Sequence, residues 1–401
     1  MKSLFLCHHH TDDQDVDILA AALKRRGVRP WVDHENGFPL GVPSEDEARR
    51  IIQQDCSGLL LYAHNRPGGE CPALDCSEFI VKVEVPAALD ARHEDPSYML
   101  IAVVRGMEFG DLATRSVGAV AKDLSAFTGV GLRTDECLSE GAKAAGRRIL
   151  HTVVARARAR RRRGGTVRIT FNTWERAPEL PGSVLDLDWT QLWPGKTPEE
   201  RGGMEQWVAC LEDVKRALSE VYGPCVLRVG GRAHLSAALT LGRVFCRPSR
   251  FAVEMEQNGA FWDTRKTADC DQPLAMREES GSISSGELFV AITTTHWDPR
   301  AAVRALVRAR GAEPRLYLWL SPGSVSRSEA VGDNAMCCAM ARQVGQGVRS
   351  TLSKVALGSV HIFTAVPQAL AMMIGREMNA VPAIQTYEYA TGAYRRSFRL
   401  V

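Results

Sequence analysis

Residues 227–243 read LRVGGRAHLSAALTLGR, and residues 360–376 read VHIFTAVPQALAMMIGR. Each opens as a short alternating strand, passes a turn, and enters an apolar helix closed by Gly-Arg. One offset, 133 residues, relates Leu227 to Val360, Val229 to Ile362 and Gly242 to Gly375. The same offset relates Phe251 to Ile384, and Gly259-Ala260-Phe261 to Gly392-Ala393-Tyr394. A constant offset across a strand, a helix end, a second strand and a hairpin-like tail predicts an internally duplicated α/β unit.

Duplicated α/β units tend to face each other across a pseudo-two-fold axis, and open α/β sheets bind ligands beyond their strand C-termini. Two such ends face to face would share one pocket, suited to a large and roughly symmetric ligand. Gly230 and Gly231 would allow close backbone approach. Leu235, Ser236 and the amides that follow would offer N–H donors to an anion. Arg232 could pair with phosphate and His234 could hydrogen-bond a base or a phosphate. Phe363, Thr364 and Pro367 occupy the equivalent loop of the second copy. Trp262, Tyr394 and Arg395 could stack on nucleobases, with Trp262 and Arg395 related by the repeat offset. Aromatic residues on strands also serve as core, and a glycine pair also makes an ordinary strand-to-helix turn.

Working outward, the chain has 401 residues, room for two or three domains at roughly 150 residues each. It is 45% hydrophobic and 24% charged, with 34 Gly and 19 Pro, which excludes disordered, collagen-like and low-complexity classes. Fifty Lys and Arg against 47 Asp and Glu leave +3, so no global field advertises a polyanion and no DNA binding is expected. No apolar run reaches the roughly 18 residues of a membrane span, and residues 4–7 are too short for a signal peptide. The expectation is a soluble, cytoplasmic protein with no membrane partner. Eleven cysteines without a CxxC then read as reduced, mostly buried thiols. His8, His9 and His10 could bind a metal, but no second ligand cluster stands nearby in sequence, so none is assigned.

The first 150 residues alternate strand and helix signals, which predicts a parallel sheet wrapped by helices. Residues 3–7 (SLFLC), 28–32 (VRPWV), 58–63 (GLLLYA) and 98–104 (YMLIAVV) read as strands. Helical periodicity runs over 12–26, and Ser44 with Glu47 forms a capping box for a helix to about residue 54. A helix over 135–156 ends in an arginine run, 156–163, and Gly164-Gly165 marks a boundary. The predicted organisation is a first domain over 1–155, a linker over 156–165, and a duplicated domain over 166–401 with halves near 166–270 and 271–401.

These residues carry two resemblances. Residues 4–13 (LFLCHHHTDD), Trp31-Val32-Asp33 with the following loop, and residues 77–84 (SEFIVKVE) resemble a TIR domain: its first strand, its second strand and BB loop, and the segment with the catalytic glutamate of NAD-cleaving members. One departure is Ile80, where a Trp often stands four residues before that glutamate. The resemblance implies a flavodoxin-like fold and makes Glu84 catalytic, with Glu78 in reserve. By pattern alone, Lys82 and Glu84 alternate with valines as on the solvent face of a strand, and Pro86 limits a helix. For the NAD site, His8, His9, His10, Asp33, Tyr62 and Ser77 are candidates; for Ser77 and Asp33, helix capping and an Asx turn are the plainer readings. Glu35, Asn36, Gly37, Phe38, Pro39, Leu40 and Gly41 form the loop that would meet NAD or a neighbouring copy.

Residues 232–242 and the tail 361–376, continuing to Tyr387-Glu388, resemble a SAVED domain, a fused pair of CARF-like Rossmannoid units that senses cyclic oligonucleotides. Together the two resemblances imply a TIR–SAVED effector of bacterial CBASS anti-phage defence. The implied ligand is a cyclic oligoadenylate, plausibly a trinucleotide, whose binding drives head-to-tail oligomers or filaments and NAD hydrolysis to nicotinamide and ADP-ribose or a cyclic form. NAD is then substrate, and no cofactor is required. The alternatives are a non-catalytic TIR scaffold gated by nucleotide, and a nucleoside-sugar transferase of similar build.

Overall fold

The computed structural model describes residues 2–36, 45–66, 69–71, 73, 77–115, 126–132, 137–160, 165–175, 177–193, 204–266, 274–283, 285–295, 297–322, 331 and 333–401. The chain forms two compact units, Met1–Arg163 with Val184–Leu187, and Gly164–Ser183 with Asp188–Val401.

The first unit holds one five-stranded sheet: β1 Ser3–Cys7, β2 Pro30–Trp31, β3 Cys56–His64, β4 Met99–Arg105 and β5 Thr128–Leu132. Its order is β2-β1-β3-β4-β5 and every pairing is parallel. This is the flavodoxin-like order, in which the chain reverses direction across the sheet between β1 and β3. Leu59 to Ala63 are buried without exception, as a strand covered by helices on both faces requires. The helices are α1 Asp13–Lys24, α2 Asp33–Asn36, α3 Glu45–Arg50, α4 Val85–Glu94, α5 Phe109–Arg115 and α6 Leu138–Ala159.

The segment before α4 corrects the strand reading of Lys82 and Glu84. Residues Ile80–Glu84 form a single π turn that runs directly into α4. Pro86 is accommodated because it lies in the first turn of α4. A regular helix would send the missing Pro86 N–H to the Lys82 carbonyl, and Arg49 Nη2 donates to that carbonyl instead, at 3.2 Å. The detour buries Glu84 to 7% exposure while Lys82 stays at the surface, paired with Glu78.

Two further sheets follow, formed by the second unit except for Leu185–Leu187 of β7. One has the order β10-β9-β8-β6-β7, from β6 Thr166–Asn172, β7 Leu185–Asp188, β8 Val226–Gly230, β9 Ala252–Gln257 and β10 Ala260–Asp263. The other has the order β11-β13-β12-β14-β15-β16, from β11 Leu274–Ser280, β12 Glu287–Thr293, β13 Leu316–Pro322, β14 Ser359–Ala365, β15 Ile384–Ala390 and β16 Ala393–Leu400. Helices α7 Met204–Tyr222, α8 Leu235–Val244, α9 Arg300–Arg310, α10 Asn334–Lys354 and α11 Gln368–Glu377 complete it.

The duplication is visible in this topology. In both sheets a parallel triplet, β6-β8-β9 or β12-β14-β15, ends in an antiparallel hairpin, β9-β10 or β15-β16. Helices α8 and α11 start 133 residues apart and cross on their glycines. A Cβ on Gly242 would overlap the Met372 carbonyl, and one on Gly375 would overlap the Leu239 carbonyl. Met372 and Leu239 are themselves 133 apart, so the contact is reciprocal, as at a pseudo-two-fold axis.

Candidate functional site

In the first unit, Glu84 stands beside the C-terminal end of β1. Cys7, the last residue of that strand, hydrogen-bonds to its carboxylate, and Asp33 after β2 is close enough to act on it electrostatically. Burial pushes the Glu84 carboxyl up to about 7; the Cys7 hydrogen bond pulls it down and the Asp33 charge pushes it up. Its Oε2 has no hydrogen-bond partner among the described residues. Burial together with the Glu84 charge holds the Cys7 thiol well above its ordinary range. The result is a carboxylate with an idle lone pair, at the sheet end where doubly wound folds place ligands.

The other candidates divide into three groups. His8 joins the cluster: its side chain is 2% exposed, and Nε2 lies 3.0 Å from Asp13 Oδ1 and 3.9 Å from Asp33 Oδ1. Tyr62 is buried in β3 and donates to Asp15 Oδ2 at 2.7 Å, which also receives Arg105 at 2.6 Å. His9, by contrast, caps a short 3-10 turn and His10 is exposed. Ser77 Oγ accepts from Ile80 N at 3.3 Å, so its geometry is that of a helix cap. Glu35 pairs with Lys24, and Asn36 exchanges hydrogen bonds with Val32. Gly37, Phe38, Pro39, Leu40 and Gly41 lie outside the described residues, as does Ser44.

Sequence reading placed Asp12 at this end of the sheet but missed His64 and Arg66, which bind these ends together. Arg66 reaches Asp12 at 2.9 Å, and His64 Nδ1 stands between Asp12 and Asp15, at 3.7 and 3.6 Å. They come from two segments, the turn into α1 and the end of β3 with the residues just after it, which the parallel pairing of β1 and β3 brings together.

In the second unit, the two helix N-termini at the pseudo-two-fold axis are each capped by the opposite repeat. Ser236 N and Oγ donate to Glu388 Oε2 at 2.9 and 2.8 Å. Ala369 N donates to Gln257 Oε1 at 3.2 Å, and Ser236 and Ala369 are repeat equivalents. The N-terminus of α8, read as a place for an external anion, therefore already holds this chain's own carboxylate. Burial pushes Glu388 up to about 7 against the pull of the Ser236 and Leu235 hydrogen bonds. Gln368 crosses the junction as well, donating to the carbonyls of Gly231 and Glu256 and accepting from Ala233 N.

Gly231 has φ +110°, and a Cβ there would press on the Phe171 carbonyl at 2.5 Å, so the glycine is required. Gly230 ends β8, where a Cβ would meet Glu256 and Leu180 at 3.1 Å. Arg232 is exposed and pairs with Glu175 at 3.2 Å. His234 is buried, stacked on Trp193 at 4.4 Å and capped by Trp174 at 4.7 Å. Its Nδ1 shares a hydrogen bond with Thr173 Oγ1 at 3.0 Å, and burial lowers its pKa to about 4. The imidazole is neutral at physiological pH and supplies no charge to a phosphate. Leu235 begins α8, and Pro367 stands just ahead of α11.

Phe363 and Tyr394 pack into an aromatic core with Tyr387, and Thr364 is buried beside them in β14. Trp262 is half-buried on β10, and Arg395 is exposed on β16. Trp174, 46% accessible above His234, is an exposed aromatic at the strand ends, as is Tyr389 at 40% near the end of β15. A cationic feature also escaped sequence reading. A cavity of about 320 Å³ is lined by Arg247, Arg250, Arg265, Lys266 and Arg342, drawn from segments nearly a hundred residues apart.

Residues 211–400 match the SAVED family, described as "SMODS-associated and fused to various effectors sensor domain". CD-NTase-associated protein 4 of an Acinetobacter species is 24% identical over 184 residues, 42% of this chain and 35% of that protein. The Moraxella osloensis protein of the same name is 26% identical over 172 residues, again 42% and 35%. The match thus spans about a third of the length of these relatives. Among solved structures, the Acinetobacter baumannii Cap4 SAVED/CARF-domain receptor with the cyclic trinucleotide 2'3'3'-cAAA aligns at TM-score 0.49 and 14% identity, over 88% of this chain and 84% of that one. The Moraxella osloensis Cap4 receptor aligns at 0.46 and 14%, over 100% and 87%. No helix among the described residues is long and apolar enough to cross a membrane. Over residues 211–400, just under half of the chain, the second unit is thus similar to SAVED sensor domains.

Proposed function

We propose that the chain is a cyclic-oligonucleotide-gated NAD glycohydrolase, an effector of the CBASS type. The observation that carries the catalytic half is Glu84, a buried carboxylate with an unpartnered oxygen at the ligand-binding end of a flavodoxin-like sheet. Breaking the nicotinamide–ribose bond builds positive charge on the ribose, and nicotinamide leaves neutral, so no general acid is needed. A carboxylate in an apolar setting stabilises that charge strongly. Water then adds to the anomeric carbon and loses a proton. The sensing half rests on the SAVED match and on the reciprocal junction of α8 and α11. Ligand binding there would promote head-to-tail association, and packed copies would complete the NAD site with the loop after β2.

The test is purified protein incubated with NAD, with and without cyclic triadenylates, followed by nicotinamide release and light scattering. Ligand-dependent release together with growth in particle size is expected. Silence with every cyclic oligonucleotide would reject the catalytic half and favour a scaffold; cleavage of deoxynucleosides instead of NAD would favour a transferase.

Within the sensor, the exposed Trp174 presents a ring at the strand ends for a nucleobase. Trp174→Ala is expected to weaken cyclic triadenylate binding by roughly 10–100-fold, the worth of one base stack. Unchanged affinity by calorimetry would place the ligand elsewhere, and the Arg-lined cavity becomes the next surface to test by Arg250→Ala.

A further inference from the structure

We propose that the first unit binds a zinc-type divalent cation between β1 and α2, through His8, Asp33 and His34 with Asp13 as the fourth donor. The ligand atoms of His8, Asp33 and His34 lie within 4.8 Å of one another. His8 Nε2 and His34 Nδ1 stand 3.9 and 3.4 Å from Asp33 Oδ1. The same two nitrogens stand 3.0 and 3.9 Å from Asp13 Oδ1. Tetrahedral zinc with N and O ligands at about 2.0–2.1 Å has ligand–ligand edges of about 3.3 Å. These four separations bracket that value, so small side-chain shifts close the site.

The contacts around the cluster put acceptors in front of both nitrogens of each ring. His8 Nδ1 faces the Leu6 carbonyl at 3.3 Å and Nε2 faces Asp13 Oδ1 at 3.0 Å; both oxygens only accept, so each nitrogen needs a proton or a cation in front of it. His34 Nε2 faces Asp17 Oδ1 at 2.8 Å and needs its proton for the same reason. The inward nitrogens, His8 Nε2 and His34 Nδ1, both face carboxylate oxygens, so a proton or a metal ion must stand in each gap. One divalent ion would fill both gaps at once, where two separate protons are needed without it. The outer contacts are also the carbonyl and carboxylate partners that metal-bound imidazoles use. Two imidazoles with carboxylates suit zinc better than magnesium or calcium, which prefer all-oxygen shells. The sequence conceals this site because Asp33 and His34 follow β2 while His8 follows β1. The parallel pairing of those strands brings them together. An ion here would pin the start of the loop after β2 beside Glu84, whatever reaction that carboxylate serves.

The test uses the full chain, stripped with chelator and titrated with cobalt(II), reading the visible absorption of tetrahedral cobalt, then displaced by zinc. One equivalent is expected. His34→Ala and Asp33→Asn should each lower the affinity by 100-fold or more, and Asp17→Asn by about 10–100-fold as an outer partner. These side chains are 32% to 54% exposed, and circular dichroism checks that the variants remain folded. Absence of a stoichiometric tetrahedral spectrum overturns the proposal. So does binding that survives His34→Ala but is lost in the His9→Ala, His10→Ala double variant, since those adjacent rings are the adventitious alternative. The readout does not involve NAD, so its failure and the failure of the glycohydrolase reading are separate results.

Discussion

Glu84→Gln is expected to lower ligand-activated NAD cleavage by on the order of 10³-fold while raising the stability of the protein above neutral pH. The two effects have one cause. Glu84 is 7% exposed, and its carboxyl titrates near 7 in the fold against an ordinary value of 4.5. Below about pH 4.5 the group is protonated in both the folded and unfolded chain and costs nothing. As the pH climbs to 7 the unfolded chain ionises freely while the folded one resists, and stability is lost across that window. Above pH 7 the loss is complete, about 3 kcal/mol at 1.36 kcal/mol per pH unit. Glutamine keeps the shape and an oxygen for the Cys7 thiol but never ionises. The variant should therefore melt higher than wild type at pH 8 and at the same temperature at pH 4. Equal melting at both values would show that Glu84 is solvated in the native state. Wild-type kcat/KM should rise with pH through about 7, because the ionised carboxylate is the working form. A variant that stays active would remove Glu84 from the reaction and leave the stability argument standing.

The fold was largely legible, and its legibility had a physical basis. The duplication showed because the α8 and α11 crossing demands glycine at Gly242 and Gly375, and because both repeats keep small or apolar residues on the same helix faces. The buried strand β3 showed as an unbroken apolar run. Other features depend on contacts between distant residues and leave no local signature. Pro86 argues against a helix unless Arg49, 37 residues earlier, is known to take up the Lys82 carbonyl. Ser236 looked ready for an external anion until Glu388, from the other repeat, was seen to fill the position. His8, His9 and His10 looked like one motif, yet the turn after β1 sends His8 inward and leaves His10 outside. Trp262, Tyr394 and Phe363 were legible as aromatic, not as core or surface, since strand alternation alone does not say which face is covered.

The helix crossing also makes the largest structural prediction. Gly242→Ala and Gly375→Ala each place a methyl group against a backbone carbonyl of the opposite helix, and the amides of Arg376 and Arg243 lie within 3.0 Å of the same points. A backbone atom cannot rotate away as a side chain does, so α8 and α11 must separate along their whole contact. Separation would loosen the cross-repeat caps from Glu388 and Gln257 at the helix starts. Each substitution is expected to cost at least about 3 kcal/mol, at the upper end for overpacking. Because the two methyls occupy one reciprocal gap, moving the helices apart for the first makes room for the second. The double variant should therefore cost clearly less than the sum of the singles. Gly259→Ala and Gly392→Ala form the matched control. They are repeat equivalents in the β9-β10 and β15-β16 turns, with φ +80° and +84° and open space around them. They should cost about 1–2 kcal/mol each from left-handed backbone strain, and their effects should add. Denaturant melts of the six variants decide the matter. Additivity at the 242/375 pair, or a loss no larger than in the control pair, would show that the helices have slack at the axis. Subadditive loss at 242/375, accompanied by loss of cyclic triadenylate binding, would identify the crossing as the element that holds the two repeats in one sensing unit.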